Sequence, residues 1–162
     1  AGIRYNPSDF DGKRFKKVIT GETETFKKYT FGIETTNGIN NGNECYPIRS
    51  VGTADYRYVY NLVPDQAYRN NVFTLNWFQS WKKQAETDPY VAYLIDKYQN
   101  RPKEELFDLK RDPYCQHNIA GNPAYAEIVA EYRAVLLDWM KDQNDSGIEL
   151  EINARDRLPK KF

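Results

Sequence analysis

The sequence predicts an α+β fold: a small antiparallel sheet of about four strands covered by helices, with a long C-terminal helix packed on the sheet. Three observations carry this. Two aromatic and β-branched segments, Tyr46–Thr53 and Tyr56–Leu62, are separated by only Thr53-Ala54-Asp55, the spacing of a hairpin. From Tyr125 to Met140 the apolar residues recur at three- and four-residue steps over about four turns. Strands come first and helices follow, rather than alternating, which favours helices covering one face of an antiparallel sheet over a parallel one.

Composition sets the outer bounds. The 162 residues suit one domain. Lys+Arg and Asp+Glu are both 23, so the chain is formally neutral and lacks the field of a duplex nucleic-acid binder. Apolar residues make up 40% and charged residues 28%, the balance of a folded domain. No apolar run approaches the ~18 residues that span a bilayer, so neither nucleic acid nor membrane is an expected partner. No basic-then-apolar leader is present, and the chain starts at Ala1 without Met, which fits a processed product or an excised piece. The sole histidine, His117, leaves few of the schemes that need His beside a partner, whether zinc chemistry or an activated nucleophile.

The elements follow in order. Residues 1–27 read as a polar, irregular arm with turn signals at Asn6-Pro7-Ser8-Asp9 and one helical turn near Phe15–Ile19. Lys28–Thr35 reads as a strand. The stretch from Thr36 to Glu44 is a loop of Gly and Asn, residues that tolerate positive φ. The next two strands form the hairpin, with Tyr56, Tyr58 and Tyr60 on one face. Phe73–Ala85 is helical, with Trp77, Phe78 and Trp81 at helical spacing. Thr87 caps a second helix with Asp88 and Pro89 in its first turn, whose stripe is Val91, Leu94, Ile95 and Tyr98. Glu104–Leu109 is a short strand that stops at Lys110-Arg111-Asp112-Pro113. Asn122-Pro123 opens the long helix, and Asn144–Gly147 ends it. In the charged tail, 148–162, the alternation of Ile148, Leu150 and Ile152 suggests a marginal strand. The whole chain is expected to be a single domain.

These segments carry a resemblance. Glu105-Leu106-Phe107-Asp108-Leu109, Asp112-Pro113, Asn118-Ile119-Ala120 and a helix ending near Trp139 resemble the C-terminal end of sulfatases, which commonly read Glu-Leu-Tyr-Asp-Leu, Asp-Pro, Asn-Leu-Ala and then a helix. Tyr46-Pro47-Ile48-Arg49-Ser50-Val51 with Tyr56-Arg57-Tyr58 is similar to the family's Tyr-Pro-x-Arg strand and hairpin, and Asp11-Gly12-Lys13-Arg14-Phe15 to its Asp-Gly-Arg-Ser-Phe segment. The group it most resembles is the heparan N-sulfatases (sulfamidases) and their bacterial relatives. The resemblance implies a C-terminal subdomain whose partner is an N-terminal catalytic domain of the same parent chain. That domain would hold Ca²⁺ and a formylglycine and act on a sulfated glycan. It also implies a periplasmic, secreted or lysosomal setting. A four-stranded antiparallel sheet with a packed terminal helix is the family's architecture there. The alternative is a stand-alone, non-catalytic glycan-binding or protein-interaction module.

The residues themselves offer little chemistry. Cys45-Tyr46-Pro47-Ile48-Arg49 reads C-x-P-x-R, the minimal pattern for formylglycine conversion. Ile48 stands where that motif has Ser, no Thr-Gly-Arg follows, and no acidic cluster lies upstream, so Cys45 reads as a chance residue before a strand. Glu104 and Glu105 point to opposite faces of their strand and cannot work as a carboxylate pair. A buried Arg49 or Arg57 is expected to pair with an acid such as Asp108, and His117 to cap a surface loop. The spacing of Cys45 and Cys115 demands no pairing. Trp77, Phe78 and Trp81, with Tyr56 and Tyr58, read either as packing residues or as a carbohydrate platform.

The best functional candidate is the Gly/Asn loop. Its Asn37, Asn40, Asn41 and Asn43 offer amides that both donate and accept, which suits a sugar's hydroxyls. In relatives the corresponding loop lies toward the substrate pocket and often carries a His; here the stretch reads Thr35-Thr36-Asn37, and the competing reading, which the residues favour slightly, is a plain solvated turn that uses Asn and Gly for positive φ. No catalytic or metal-binding residue is assigned. The chain alone is therefore expected to lack sulfatase activity: an aryl sulfate with added Ca²⁺ should remain intact, and turnover abolished by Cys45→Ala would contradict the assignment.

Overall fold

The computed structural model describes residues 6–9, 12, 14–24, 26–36 and 38–154. The chain divides into two compact units, 1–30 and 31–162. The first contains a 3-10 turn, Pro7–Asp9, and the expected single helical turn, α1 (Lys16–Ile19). Phe15 and Phe26 meet edge to face within it, ring centroids 6.0 Å apart. Asp11 and Lys13 of the Asp-Gly-Lys-Arg-Phe segment lie outside the described residues.

From Thr30 onward the chain is built on a four-stranded antiparallel sheet in the order β1 (Thr30–Glu34), β2 (Ile48–Gly52), β3 (Tyr56–Asn61), β4 (Glu104–Asp108). The hairpin is the expected one. Val51 lies opposite Tyr58, and Thr53 closes the turn by accepting from the amides of Asp55 and Tyr56 at 3.1 and 3.2 Å. Across β3, Tyr58 faces Leu106 and Arg57 faces Phe107. Alternation therefore puts Val51, Tyr58 and Leu106 on one face, and Ile48, Val59 and Phe107 on the other.

The helices are α2 (Asn76–Ala85), α3 (Pro89–Gln99), α4 (Ala126–Asp142) and α5 (Ile148–Ile152). The α4 stripe expected from periodicity is the buried one: Val129, Tyr132, Leu136 and Met140 are all enclosed. It covers the Tyr58 face. Tyr56 packs against Tyr132, the Tyr132 hydroxyl lies 2.8 Å from Thr53 Oγ1, and Phe31 stacks on Trp139 at 4.6 Å. The opposite face is covered too, so the helices do not sit on one side only. Tyr46, Ile48, Val59, Tyr68 and Phe107 form a core cluster there, joined by Phe73 and by Tyr98 of α3. The reason is visible in the strands: Val59 and Phe107 on this face are as apolar as Tyr58 and Leu106 on the other, and both sets need burial.

Two boundaries differ from expectation. Asp88 rather than Thr87 caps α3, accepting from the amides of Tyr90 and Val91 at 2.9 and 3.3 Å; Pro89 at the first helical position fixes that register. Ile148–Ile152 is a helical turn, not a strand. Gly147 has φ of 64°, and a Cβ there would lie 2.4 Å from Leu62 Cδ2, so this position has to be glycine. The sharp turn it permits starts α5 and carries Glu151 inward, to 4% exposure. Alternation of three aliphatic residues was too short a pattern to outweigh that turn.

The sulfatase-like motif around β4 has a structural cause. β4 is an edge strand, and its Leu106 amide donates to Asn118 Oδ1 at 2.9 Å, while Asn118 Nδ2 donates to the Glu104 carbonyl at 3.1 Å. The Ile119 amide then reaches the Leu106 carbonyl at 2.9 Å. Asp108 accepts from the amides of Lys110 and Arg111, and Asp112 from those of Gln116 and His117, folding the intervening turn. The motif thus satisfies the open edge of the sheet. Leu136 is fully buried against the Tyr58 face, so Leu136→Ala should cost about 2–5 kcal/mol in urea unfolding. A change within ~0.5 kcal/mol would show that α4 presents another face.

Candidate functional site

Few ionisable groups are available for chemistry, and those that are buried are spoken for. Glu104 and Glu105 point to opposite faces, as alternation requires. Glu104 accepts from Tyr58 Oη at 2.5 Å and from Arg133 Nε and Nη2 at 2.6 and 2.8 Å. Burial alone would raise its carboxyl, but Arg133 and Tyr58 outweigh that and hold it below the usual range. Glu105 is bound by Asn61 Nδ2 at 2.7 Å and Arg101 Nε at 3.1 Å. His117 is exposed on its loop. Cys45 and Cys115 are free thiols.

Arg49 is buried, but its partner is Asp145, not Asp108. Nε lies 2.5 Å from Asp145 Oδ2 and Nη2 lies 3.0 Å from Oδ1, a two-pronged pair with 1% and 3% side-chain exposure. Arg49 Nη1 also donates to the carbonyls of Glu34 and Ile48 at 3.2 and 3.0 Å. Asp145 in turn accepts from the Gly147 amide at 2.9 Å. Arg57, by contrast, is exposed, with Nη1 3.6 Å from Cys115 Sγ.

This pair anchors the base of the Gly/Asn loop. At the loop's entry Glu151 accepts from the Thr36 amide at 2.9 Å and from the Thr35 hydroxyl, and the Tyr68 hydroxyl donates to Glu34. At its exit Asn43 Nδ2 donates to the Ala67 carbonyl at 2.9 Å, and the Arg69 amide donates to Asn43 Oδ1 at 2.5 Å. Between these anchors the Ile39 amide reaches the Thr36 carbonyl and the Gly42 amide reaches the Ile39 carbonyl. Gly38 and Asn41 take positive φ, 86° and 57°. Asn40 and Asn41 lie exposed at the tip. Of the four Asn residues singled out in the sequence, Asn43 is thus an anchor, Asn40 and Asn41 are exposed, and Asn37 lies outside the described residues. Asp145 and Glu151 escaped sequence reasoning. The Asp145-Ser146-Gly147 turn after a long helix was the available signal for the first.

The sulfatase cofactors do not fit the described residues. Arg49 of the C-x-P-x-R stretch is committed to Asp145, and Tyr46, Pro47 and Ile48 are buried. Burial, then the charges of Glu151 and Glu44, pushes the Cys45 thiol up, away from reactivity. Among the described residues no group of three His, Cys, Asp or Glu side chains is arranged to hold a metal ion.

The aromatic set divides. Tyr56 and Tyr58 pack under α4. Trp77, Phe78 and Trp81 line a groove between α2–α3 and the β3–β4 face, with a cavity of about 560 Å³.

The Asp145 carboxyl is held below the usual range by the Arg49 hydrogen bond, which overcomes burial. A depressed folded value contributes stability above the unfolded value of about 3.9, and this is lost as pH falls through the folded one. Asp145→Asn should therefore cost about 3–5 kcal/mol at neutral pH by stranding a buried guanidinium. The gap to the parent protein should narrow below about pH 4. Urea unfolding across that range checks it, and a pH-independent gap would contradict the pairing.

No protein-family model matches the sequence. Among curated proteins, an ulvan-active sulfatase of Formosa agariphila is 31% identical over 149 residues, 90% of this chain and 27% of that protein. The human N-sulphoglucosamine sulphohydrolase is 26% identical over 107 residues, 64% of this chain and 21% of that protein. A delta 4,5-hexuronate-2-O-sulfatase of Bacteroides thetaiotaomicron is 37% identical over 65 residues, 40% of this chain and 14% of that protein. Two solved structures share the fold, each with a TM-score of 0.53 at 20% identity. One is a putative sulfatase of Bacteroides thetaiotaomicron, with 98% of this chain and 24% of that one aligned, and the other a 2-O GAG sulfatase, with 99% and 25% aligned. The chain spans about a quarter of the length of the first of these relatives and of both structures. Shared sequence over nine-tenths of the chain makes it homologous to part of the sulfatases, consistent with their C-terminal domain, and the two structures share its fold.

Proposed function

We propose that the chain is the accessory C-terminal part of a sulfatase-like hydrolase that acts on sulfate esters or N-sulfates of glycans. In this reading it completes the fold and frames the substrate pocket with the loop from Thr36 to Glu44. Its partner is the N-terminal catalytic domain of the same parent chain, which supplies the formylglycine nucleophile and Ca²⁺. The setting is periplasmic, secreted or lysosomal. No helix among the described residues is long and apolar enough to cross a membrane.

The carrying observation is the division of labour within the loop. Its ends are tied to buried groups through Thr36, Asn43 and the Arg49–Asp145 pair, while Asn40 and Asn41 stand exposed. Such a loop loses little conformational entropy when it meets a ligand, because its base is already ordered. The relatives' names, an ulvan-active sulfatase and a delta 4,5-hexuronate-2-O-sulfatase, support a sulfated saccharide as the substrate class. The groove at Trp77 and Trp81 favours the second reading, a glycan-binding module without catalysis. The upstream reading frame separates the two: a C-x-P-S-R motif with an acidic cluster belongs only to the hydrolase.

In the full-length protein, Asn40→Ala, Asn41→Ala and Asn37→Ala should each cost roughly 0.5–1.5 kcal/mol, about two- to tenfold in kcat/KM, on the natural glycan. A small aryl sulfate, which lacks the sugar hydroxyls, should respond less. Asn43→Ala should instead lower stability, because both ends of its amide hold backbone. Equal losses on glycan and aryl sulfate would mean a disturbed active site, and no loss on either would reduce the loop to a turn.

A further inference from the structure

The groove between α2–α3 and the β3–β4 face shares no lining residue with the Gly/Asn loop. Its volume, about 560 Å³, lies in the range of sites that take small ligands. Two features of its wall stand together. The first is aromatic: Trp77 and Trp81 are 49% and 47% exposed, with ring centroids 5.4 Å apart and planes at 75°. Solvent-facing indoles at a concave surface offer flat apolar area to the C–H face of a sugar, with an N–H donor at the rim.

The second feature is charge. Arg57 and Lys97 converge on Cys115: Arg57 Nη1 lies 3.6 Å from the thiol sulfur, and Lys97 Nζ donates to the Cys115 carbonyl at 3.1 Å and to the Gln116 carbonyl. Those acceptors are neutral, and among the described residues neither cation has a carboxylate within ion-pair distance. The acids nearby are engaged elsewhere. Glu105 is paired with Arg101 at 3.1 Å, and Asp112 accepts from the amides of Gln116 and His117. The groove therefore combines an apolar stacking wall with two cations that form no ion pair among the described residues, Lys97 feeling only the more distant charge of Asp112, which complements a sugar bearing an anionic group.

We infer that this groove is a second saccharide site, binding an anionic sugar whose ring lies on the Trp77–Trp81 wall and whose sulfate or carboxylate meets Arg57 and Lys97. That the anion is a sulfate rests on the reading that the protein works on sulfated glycans. The groove's thiol, Cys115, is engaged by Arg57, and among the described residues no metal-ligand set is present, so the role is retention of the chain being processed.

The test is tryptophan fluorescence of the full-length protein titrated with a sulfated, uronate-containing tetrasaccharide and with its desulfated form. Saturable quenching with a Kd below about 1 mM is expected. The Kd should rise about tenfold in Arg57→Gln, Lys97→Met and Trp81→Ala. It should be partly restored in Trp81→Phe, with unchanged melting temperatures as the folding control. Much weaker binding of the desulfated sugar identifies sulfate as the anion, and equal binding identifies the carboxylate. Absent saturation, or identical curves for the parent, Arg57→Gln and Trp81→Ala, would overturn the site. So would Trp77 and Trp81 shielded from iodide before sugar is added, since the groove would then be covered by another part of the protein. Failure of the hydrolase reading shows differently, as no sulfate released from any glycan by the full-length protein, and leaves the binding curves interpretable.

Discussion

Arg49 sits in the second strand with 1% of its surface exposed, and a charge so placed has to be answered by a partner held in position. Asp145 answers it from the turn that follows α4, 96 residues away. The pair therefore clamps the end of the longest helix to the middle of the sheet. It also decides what lies next to it. The remaining Arg49 nitrogen holds the Glu34 carbonyl, the Gly147 amide closes back on Asp145, and the turn at Gly147 delivers Glu151 to the Thr36 amide. One ion pair thus fixes the exit from β1, the start of α5 and the base of the loop between β1 and β2. A hydrophobic substitute would fill the volume but would bind neither the Glu34 carbonyl nor the Gly147 amide.

What the sequence discloses and what it hides follow from range. Local rules placed the hairpin at Thr53–Tyr56, the proline-opened long helix and the stop at Asn144–Gly147, because each depends on residues a few positions apart. The buried stripe of α4 was legible for the same reason: Val129, Tyr132, Leu136 and Met140 repeat at helical spacing. The partner of Arg49 was not. Asp108 and Asp145 are both aspartates at the end of an element, and only the three-dimensional path of α4 brings one of them to the guanidinium. The helical form of Ile148–Ile152 was hidden likewise, since Glu151 is drawn inward by an amide 115 residues distant. Coverage of both sheet faces was in principle readable from Val59 and Phe107, whose register opposite polar neighbours needed a second apolar layer.

Motif and function separate in this molecule. Of the residues that carry the family resemblance, Leu106 and Phe107 fill the core, while Asp108, Asp112 and Asn118 work on the backbone: they fold a turn and supply the edge strand with a donor and an acceptor. The C-x-P-x-R stretch likewise leads into β2, its arginine spent on Asp145 and its cysteine thiol pushed up by burial. The side chains that the fold leaves unspent are the asparagines at the tip of the loop and the indoles and cations of the groove. Both sets are exposed and both rest on ordered backbone, the loop on the Arg49–Asp145 clamp and the groove on the Tyr68–Phe107 core.

The proposed function requires the loop's hydrogen-bonded base to be ordered before ligand arrives and its exposed tip to respond to it. Amide hydrogen exchange of the full-length protein, with and without a sulfated oligosaccharide, reads both properties at once. The account predicts slow exchange at Thr36, Asn43 and Arg69 without ligand, and fast exchange at Asn40 and Asn41 that slows when the oligosaccharide is added. A base that exchanges as fast as the tip, or a tip indifferent to the ligand, would contradict it.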